Sequence, residues 1–308
     1  LNAGLHGQYF SINEEFALEP RAAVTYAVNP KSSINFGYGM HHQNVPAPIL
    51  FLNENVNGQL VQTNKELDLV RSQHFVLGYD LRLAEKWRAK VELYHQIIDK
   101  AAVEKFSSGY SSLTEGADFG YSVDKTGLVS EGKGHNSGIE FTLEKFFSKG
   151  YHALFTSSFF ESKYEGSDGI ERNSPFNNGY VINALAGKEF KMGKAKKNVF
   201  SINTKFTTAG GRYYTPVDLA ASNAVGYEIR DDANPYSEQY DAYLRLDLRF
   251  GMKFNSKKKK SSHQFYVDFQ NVTNNTNVFT KDYNRLTNRV DQIDQIGFSP
   301  DFGYKFQF

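Results

Sequence analysis

The amino-acid sequence predicts an all-β chain, an antiparallel transmembrane β-barrel portion of about twelve meandering strands. Three observations carry this. Apolar and polar residues alternate with a period of two over long segments, the connections between those segments alternate short and long, and no apolar run approaches the roughly 18 residues of a membrane-crossing helix.

The clearest segment is YLRLDLRFGMKF, where Leu244, Leu246, Leu248, Phe250, Met252 and Phe254 share one parity. Tyr243, Arg245, Asp247, Arg249, Gly251 and Lys253 share the other. A helix would scatter these around its circumference, whereas a strand puts each set on its own face. The same pattern returns in Phe75, Leu77, Tyr79, Leu81 and Leu83, and again in Trp87, Ala89, Val91 and Leu93, with only a tight turn at Ala84 to Lys86 between them. That pair predicts a hairpin. Extended along the chain, the reading places strands near 2–12, 20–28, 33–44, 71–83, 87–105, 131–146, 151–165, 178–191, 198–214, 240–254, 263–275 and 297–308.

The connections at 29–32, 84–86, 148–150, 192–197 and 255–262 are short, while those at 45–70, 106–130, 166–177, 215–239 and 276–296 are longer and several are rich in Asn, Asp, Gly and Ser. Short turns at one end of a sheet and long loops at the other are the pattern of an outer-membrane barrel, with periplasmic turns and external loops. The competing architecture is a large soluble sandwich or propeller. Soluble strands average about 5–6 residues and seldom alternate arginine, aspartate and lysine on a face meant for a dry core. In a wide barrel that face lines a wet or plugged lumen while the Leu/Phe face meets lipid.

Composition excludes other classes. Of 308 residues 15% are aromatic, with 26 Phe and 19 Tyr, too many for a disordered chain. Charge is balanced, with 35 basic against 34 acidic residues, which argues against a general nucleic-acid binder. Cysteine is absent, so there is neither a disulfide framework nor a thiolate nucleophile. Mean hydropathy is −0.52, as expected where every second strand residue is polar.

Several stretches together resemble TonB-dependent outer-membrane receptors. They are LNAG at 1–4, the strand opening Glu19-Pro20-Arg21, INFGYGMHHQ at 34–43, SGIEFTLEKFFSKG at 137–150, GGRYYTPVDL at 210–219, LRLDLRFGMKFN at 244–255, VDFQNVTNN at 267–275 and the terminal FGYKFQF. The nearest resemblance is to Bacteroidetes-type members that carry a carboxypeptidase-regulatory-like domain. It implies a barrel of about 22 strands around an N-terminal plug, so that residues 1–308 are expected to be the C-terminal part of the barrel, with roughly ten strands unaccounted for. Nothing in the chain resembles a plug, a TonB-contacting box or a signal peptide, and the start at Leu1 is expected to mark a fragment or a processed product. The implied location is the outer membrane of a Gram-negative bacterium. The implied partners are outer-membrane lipid, the protein's own plug and remaining strands, the TonB complex reached through the N-terminal part, and the barrel assembly machinery.

No enzyme is expected and no cofactor. HExxH, GxSxG, P-loop and GxGxxG patterns are absent. His41 and His42 are adjacent, so their side chains point to opposite faces of a strand and cannot chelate one metal together. Asp231-Asp232 suits a calcium ion or simple hydration, with hydration favoured. The basic run Lys257 to Lys260 reads as a solvated periplasmic turn ahead of a nucleic-acid contact.

Ligand recognition is expected at the outer rim. His41 and Gln43 share the inward parity of Asn35, Gly37 and Gly39, and either contact solute or merely hydrate the wall or touch a plug. The long connection after GGRYYTPVDL gathers Tyr213, Tyr214, Asp218, Arg230, Asp231, Asp232 and Tyr236, which either bind ligand or seal the mouth. The terminal stripe Phe302, Tyr304, Phe306 and Phe308 is the expected assembly signal by resemblance. The expected function is TonB-dependent uptake of a scarce nutrient of the siderophore, glycan or peptide class. The alternative is a passive channel or an adhesion or assembly barrel.

Overall fold

The computed structural model describes residues 1–117, 124–256 and 261–308. Among them, twelve long strands succeed one another in one sheet, each antiparallel to its neighbour in sequence. They are Asn2–Phe10, Glu15–Asn29, Ser32–Gln43, Val70–Ala84, Trp87–Val103, Val129–Ser148, Tyr151–Glu165, Tyr180–Met192, Asn198–Ala209, Tyr243–Asn255, Ser262–Gln270 and Ser299–Gln307. The short strand Glu171–Asn173 adds to the seventh of these. Within the described residues the first and last strands have one partner each.

The tight turns follow from local chemistry. Lys149 and Gly150 both take positive φ, 52° and 76°, in the two-residue turn whose twist matches the flanking strands. The Asn29 side chain accepts from the Lys31 amide at 2.8 Å and closes the turn into the third strand. The longer connections, 44–69, 104–128, 166–179, 210–242 and 271–298, all emerge at the opposite end.

The twelve-strand meander matches the sequence reading, and four strand ends differ by three residues or more. The second strand begins at Glu15, ahead of the expected 20. The ninth stops at Ala209 and the tenth starts at Tyr243, where neighbouring backbone carbonyls close in on Gly210 and Gly211. A Cβ on Gly210 would overlap the Asn178 carbonyl, and one on Gly211 the Tyr240 carbonyl. Tyr213–Tyr214 then pairs with Glu238–Gln239 as a separate ladder. The eleventh strand ends at Gln270, where Asn271 turns to φ 49° and its side chain brackets Asn275, donating to its carbonyl at 2.9 Å and accepting from its amide at 3.1 Å.

Register divides the wall into two faces. One row across the sheet runs Leu81, Ala89, Leu143, Phe155, Ala184, Phe206 and Leu246, apolar throughout. The row one residue along runs Asp80, Lys90, Thr142, Thr156, Asn183, Thr207 and Arg245, polar throughout. The first face carries Phe36, Leu77, Leu93, Phe159, Phe265 and Phe302 exposed, as a lipid-facing surface requires. On the second, charges neutralise one another: Lys90 meets Glu92 at 2.6 Å, Arg245 meets Asp247 at 2.7 Å, and Arg88–Asp80 and Arg249–Asp268 are further pairs. The Tyr266 ring lies over Gly303, which leaves it room, and the Arg249 guanidinium sits 4.7 Å from that ring's centroid.

At the rim, Val45, Ile49, Leu50, Leu67, Ala102 and Leu128 form a small buried core beneath the loops, with Phe10, Val70 and Tyr110 against it. Buried Asn64 ties this core together, donating to the Ile49 and Lys125 carbonyls at 3.0 and 2.8 Å and accepting from the Leu128 amide at 3.0 Å.

Two outcomes follow for the full-length protein unfolded from lipid vesicles. Phe155→Arg should cost roughly 2–4 kcal/mol, while Thr156→Arg on the neighbouring residue should cost far less, because only the first pushes a charge into hydrocarbon. Gly303→Val should lower stability by roughly 1–3 kcal/mol by evicting the Tyr266 ring, and Gly4→Val, over open space, should not.

Candidate functional site at the loop rim and inner wall

The connection 210–242 is built as an ordered unit. Tyr214 stacks on Tyr240 with centroids 4.1 Å apart, donates to Glu238, and accepts from Lys281 Nζ at 3.0 Å. That ammonium lies 5.2 Å from the ring centroid, at the hydroxyl end of Tyr214. Burial, with Glu238 beside it, pushes the Tyr214 phenol up, and the hydrogen bond to that phenol raises the Lys281 ammonium. Asp218 caps the helix Leu219–Val225 by accepting from the Ala221 amide at 2.9 Å, and Gly226 ends it in the left-handed region at φ 78°.

Arg230 joins two loops. It donates to the Thr215 carbonyl at 2.9 Å, pairs with Glu228 at 2.8 Å and reaches Asp282 of the 271–298 connection at 3.4 Å. The Tyr283 amide donates back to Glu228 at 2.8 Å. Asp231 is engaged within its own turn, accepting from the Asn234 side chain at 2.9 Å and the Ala233 amide at 3.2 Å. Tyr236 meets the buried Tyr164 ring edge-on at 6.0 Å.

Between this connection and 104–128 lies a cavity of about 690 Å³. Arg230, Asp232 and Tyr236 line it from one side, and Glu104, Phe106, Tyr110 and Lys125 from the other. Burial works against the Lys125 ammonium, but the Glu104 carboxylate at 3.0 Å overrides it and leaves the group raised. Burial pushes the Tyr110 phenol up. Nearby, the Arg172 guanidinium grips Asp168 through two bonds of 2.9 and 2.7 Å and holds its carboxyl below the usual range. Such a cavity, with two aromatic walls and mixed charges, can stack a ring and orient it by hydrogen bonds.

The sequence-predicted residues therefore separate. Arg230, Asp232 and Tyr236 share the cavity, Tyr214 lines a different hollow with Lys281 and Val290, and Asp218 caps a helix. Tyr213, half-buried, pairs with Gln239. His41 stands on the polar face with its ring 5.2 Å from His74, and Gln43 is exposed at the strand end opposite Val70. Sequence reasoning passed over Glu104, Tyr110 and Lys125, whose place opposite 230–236 depends on how two loops distant in sequence fold together. It also passed over His74, Gln96 and Asn136, although their parity was legible; Asn136 donates to Gln96 at 2.7 Å, and Gln96 lies 3.1 Å from the His74 ring.

At the other end, Phe302, Tyr304 and Phe306 share the apolar face, Tyr304 5.0 Å from Phe265 and Phe306 4.9 Å from the His263 ring, while Phe308 is almost wholly exposed. The run Lys257 to Lys260 lies outside the described residues.

Residues 1–274 match the family described as TonB dependent receptor-like, beta-barrel. Among solved structures, the outer membrane transporter YddB from Escherichia coli superposes with a TM-score of 0.65 at 13% identity, over 99% of this chain and 42% of that one. The ferric-catecholate import receptor Fiu from K12 E. coli gives 0.60 at 10% identity, over 96% of this chain and 36% of that one. BauA, the ferric preacinetobactin receptor from Acinetobacter baumannii, gives 0.59 at 12%, over 96% and 37%. The chain thus spans well under half the length of these structures. No curated protein sequence matches it. A two-faced meander of this kind, the family match over most of its length and the shared barrel geometry lead to one conclusion: the chain belongs to the TonB-dependent receptor-like β-barrel family, and is barrel wall of the outer membrane of Gram-negative bacteria.

Proposed function

We propose that this wall and its loops serve the TonB-dependent uptake of a scarce nutrient of the siderophore, glycan or peptide class. The observation that carries the reading is the cavity of about 690 Å³ held between two loops above a polar inner face. Loops positioned by a rigid scaffold are where recognition residues concentrate. Two of the named structural neighbours are a ferric-catecholate import receptor and a ferric preacinetobactin receptor, which supports a solute of similar kind. On this reading Arg230, Asp232 and Tyr236 contact the solute, with Tyr213, Tyr214, Asp218 and Asp231 holding the loop that presents them, and His41 and Gln43 lie along its path inward.

The same reading assigns the free edges of the first and last strands to pairing with further barrel strands of the same protein, around a plug that reaches the TonB complex. The stripe Phe302, Tyr304, Phe306 and Phe308 then meets outer-membrane lipid and serves as the signal read by the barrel assembly machinery.

Uptake by whole cells, measured over a panel of ferric siderophores, oligosaccharides and peptides, should stop when TonB is inactivated. Uptake that continues unchanged identifies a passive channel instead. In the full-length protein, replacing 218–236 by a Gly/Ser linker should weaken binding of the transported solute at least tenfold, since each hydrogen bond lost is worth on the order of 1 kcal/mol. Unchanged affinity would place recognition outside this loop.

A further inference from the structure

His41 and His74 come from adjacent strands and share the polar inner face. In the ladder His41 stands opposite Ser72, and His74 stands opposite Gly39. Because Gly39 has no side chain, the His41 ring folds back along its own strand, and its Nε2 comes 3.0 Å from where a Gly39 Cβ would be. That carries the ring towards His74, with centroids 5.2 Å apart and planes at 86°. Among the described residues no hydrogen bond holds either ring nitrogen of His41.

His74 is oriented from behind. Its Nε2 lies 2.8 Å from Ser72 Oγ and 3.1 Å from Gln96 Nε2, and Asn136 steadies Gln96 in turn. Ser72 Oγ accepts from Gln96 Nε2 at 2.8 Å and can also accept the His74 Nε2 proton, so that Nδ1 keeps the lone pair for another partner, as in metal-ligating histidines that donate their other ring N–H. The two rings border a hollow of about 540 Å³ on the inner wall, floored by Gly4, Ala23, Gly37 and Gly39 with Arg21 at its side. A Cβ on Gly4 or Gly37 would meet nothing within 4 Å, so the floor is open.

We propose that His41 and His74 form a two-imidazole site for a first-row divalent transition metal ion, of the zinc, copper or nickel kind. With metal–nitrogen bonds of about 2.1 Å, a metal sits roughly 3.2 Å from each ring centroid, and two centroids 5.2 Å apart then subtend about 110° at the metal, close to tetrahedral. Neutral imidazole is the protein ligand these ions favour. The open hollow leaves the remaining positions to water or to donor atoms of a carried molecule. The site's role in import rests on the proposed uptake function, but its occupancy by metal does not and is measured without transport.

The experiment is calorimetric titration of the purified full-length protein with Zn²⁺ or Cu²⁺ alone, together with the EPR spectrum of the Cu²⁺ form. One metal should bind, and the spectrum should show two imidazole nitrogens. His41→Ala and His74→Ala should each weaken binding at least tenfold, while His263→Ala on the outer face should leave it unchanged. Gly39→Val, which keeps both ligands but blocks the path of the His41 ring, should also weaken it at least tenfold. Absence of binding, a spectrum with one imidazole nitrogen or none, or an affinity equal to that of the unaltered protein in either alanine variant would each overturn the proposal. Metal binding that fails while TonB-dependent uptake persists overturns this site and leaves the uptake function standing.

Discussion

The rest of the structure depends on one constraint, that in hydrocarbon every backbone amide must find a partner within the protein. Among strands, only ladders on both sides satisfy it, and hairpin connections are the simplest way to supply them in chain order. The chain meets the requirement across ten of its strands, each hydrogen-bonded to both sequence neighbours. Once pairing is continuous, side chains have only two directions to take. The all-apolar row through Leu143 and Phe155 and the all-polar row through Thr142 and Thr156 then follow together from a single register.

The polar face could have been a liability, because charges there stand close together. It is balanced by pairing along and across strands, as in Arg245 with Asp247 and Arg249 with Asp268. These groups are partly exposed, so each pair contributes little to stability. Their effect is to hold a neutral, hydrated surface on which imidazole and amide groups are set in fixed places.

Above the wall a different logic applies. The loops sit in water, and they are held by a small core around Ile49 and Leu50, by buried Asn64, and by bonds from one connection to the next through Arg230 and Lys281. Two candidate residues are consumed by this construction, Asp218 as a helix cap and Tyr214 in its stack on Tyr240 and its hydrogen bond from Lys281. A loop so braced turns only a few of its side chains to the cavity, among them Arg230, Asp232 and Tyr236.

By itself the sequence determined the strands, their order and their two faces, because a period of two is written directly in the alternation of residues such as Leu244 to Phe254. It also showed which connections are tight, through residues such as Lys149-Gly150 that accept positive φ. Where strands end was less legible, since Gly210 and Gly211 read as strand until the carbonyls that crowd them are known. Only the tertiary structure decided which side chains meet. His41 and His74 lie 33 positions apart, and they become neighbours through the offset between two strands together with the missing side chain of Gly39. The partners of Arg230, Asp232 and Tyr236 were hidden for the same physical reason: loop residues have no period, and their contacts depend on the packing of segments that share no local signal.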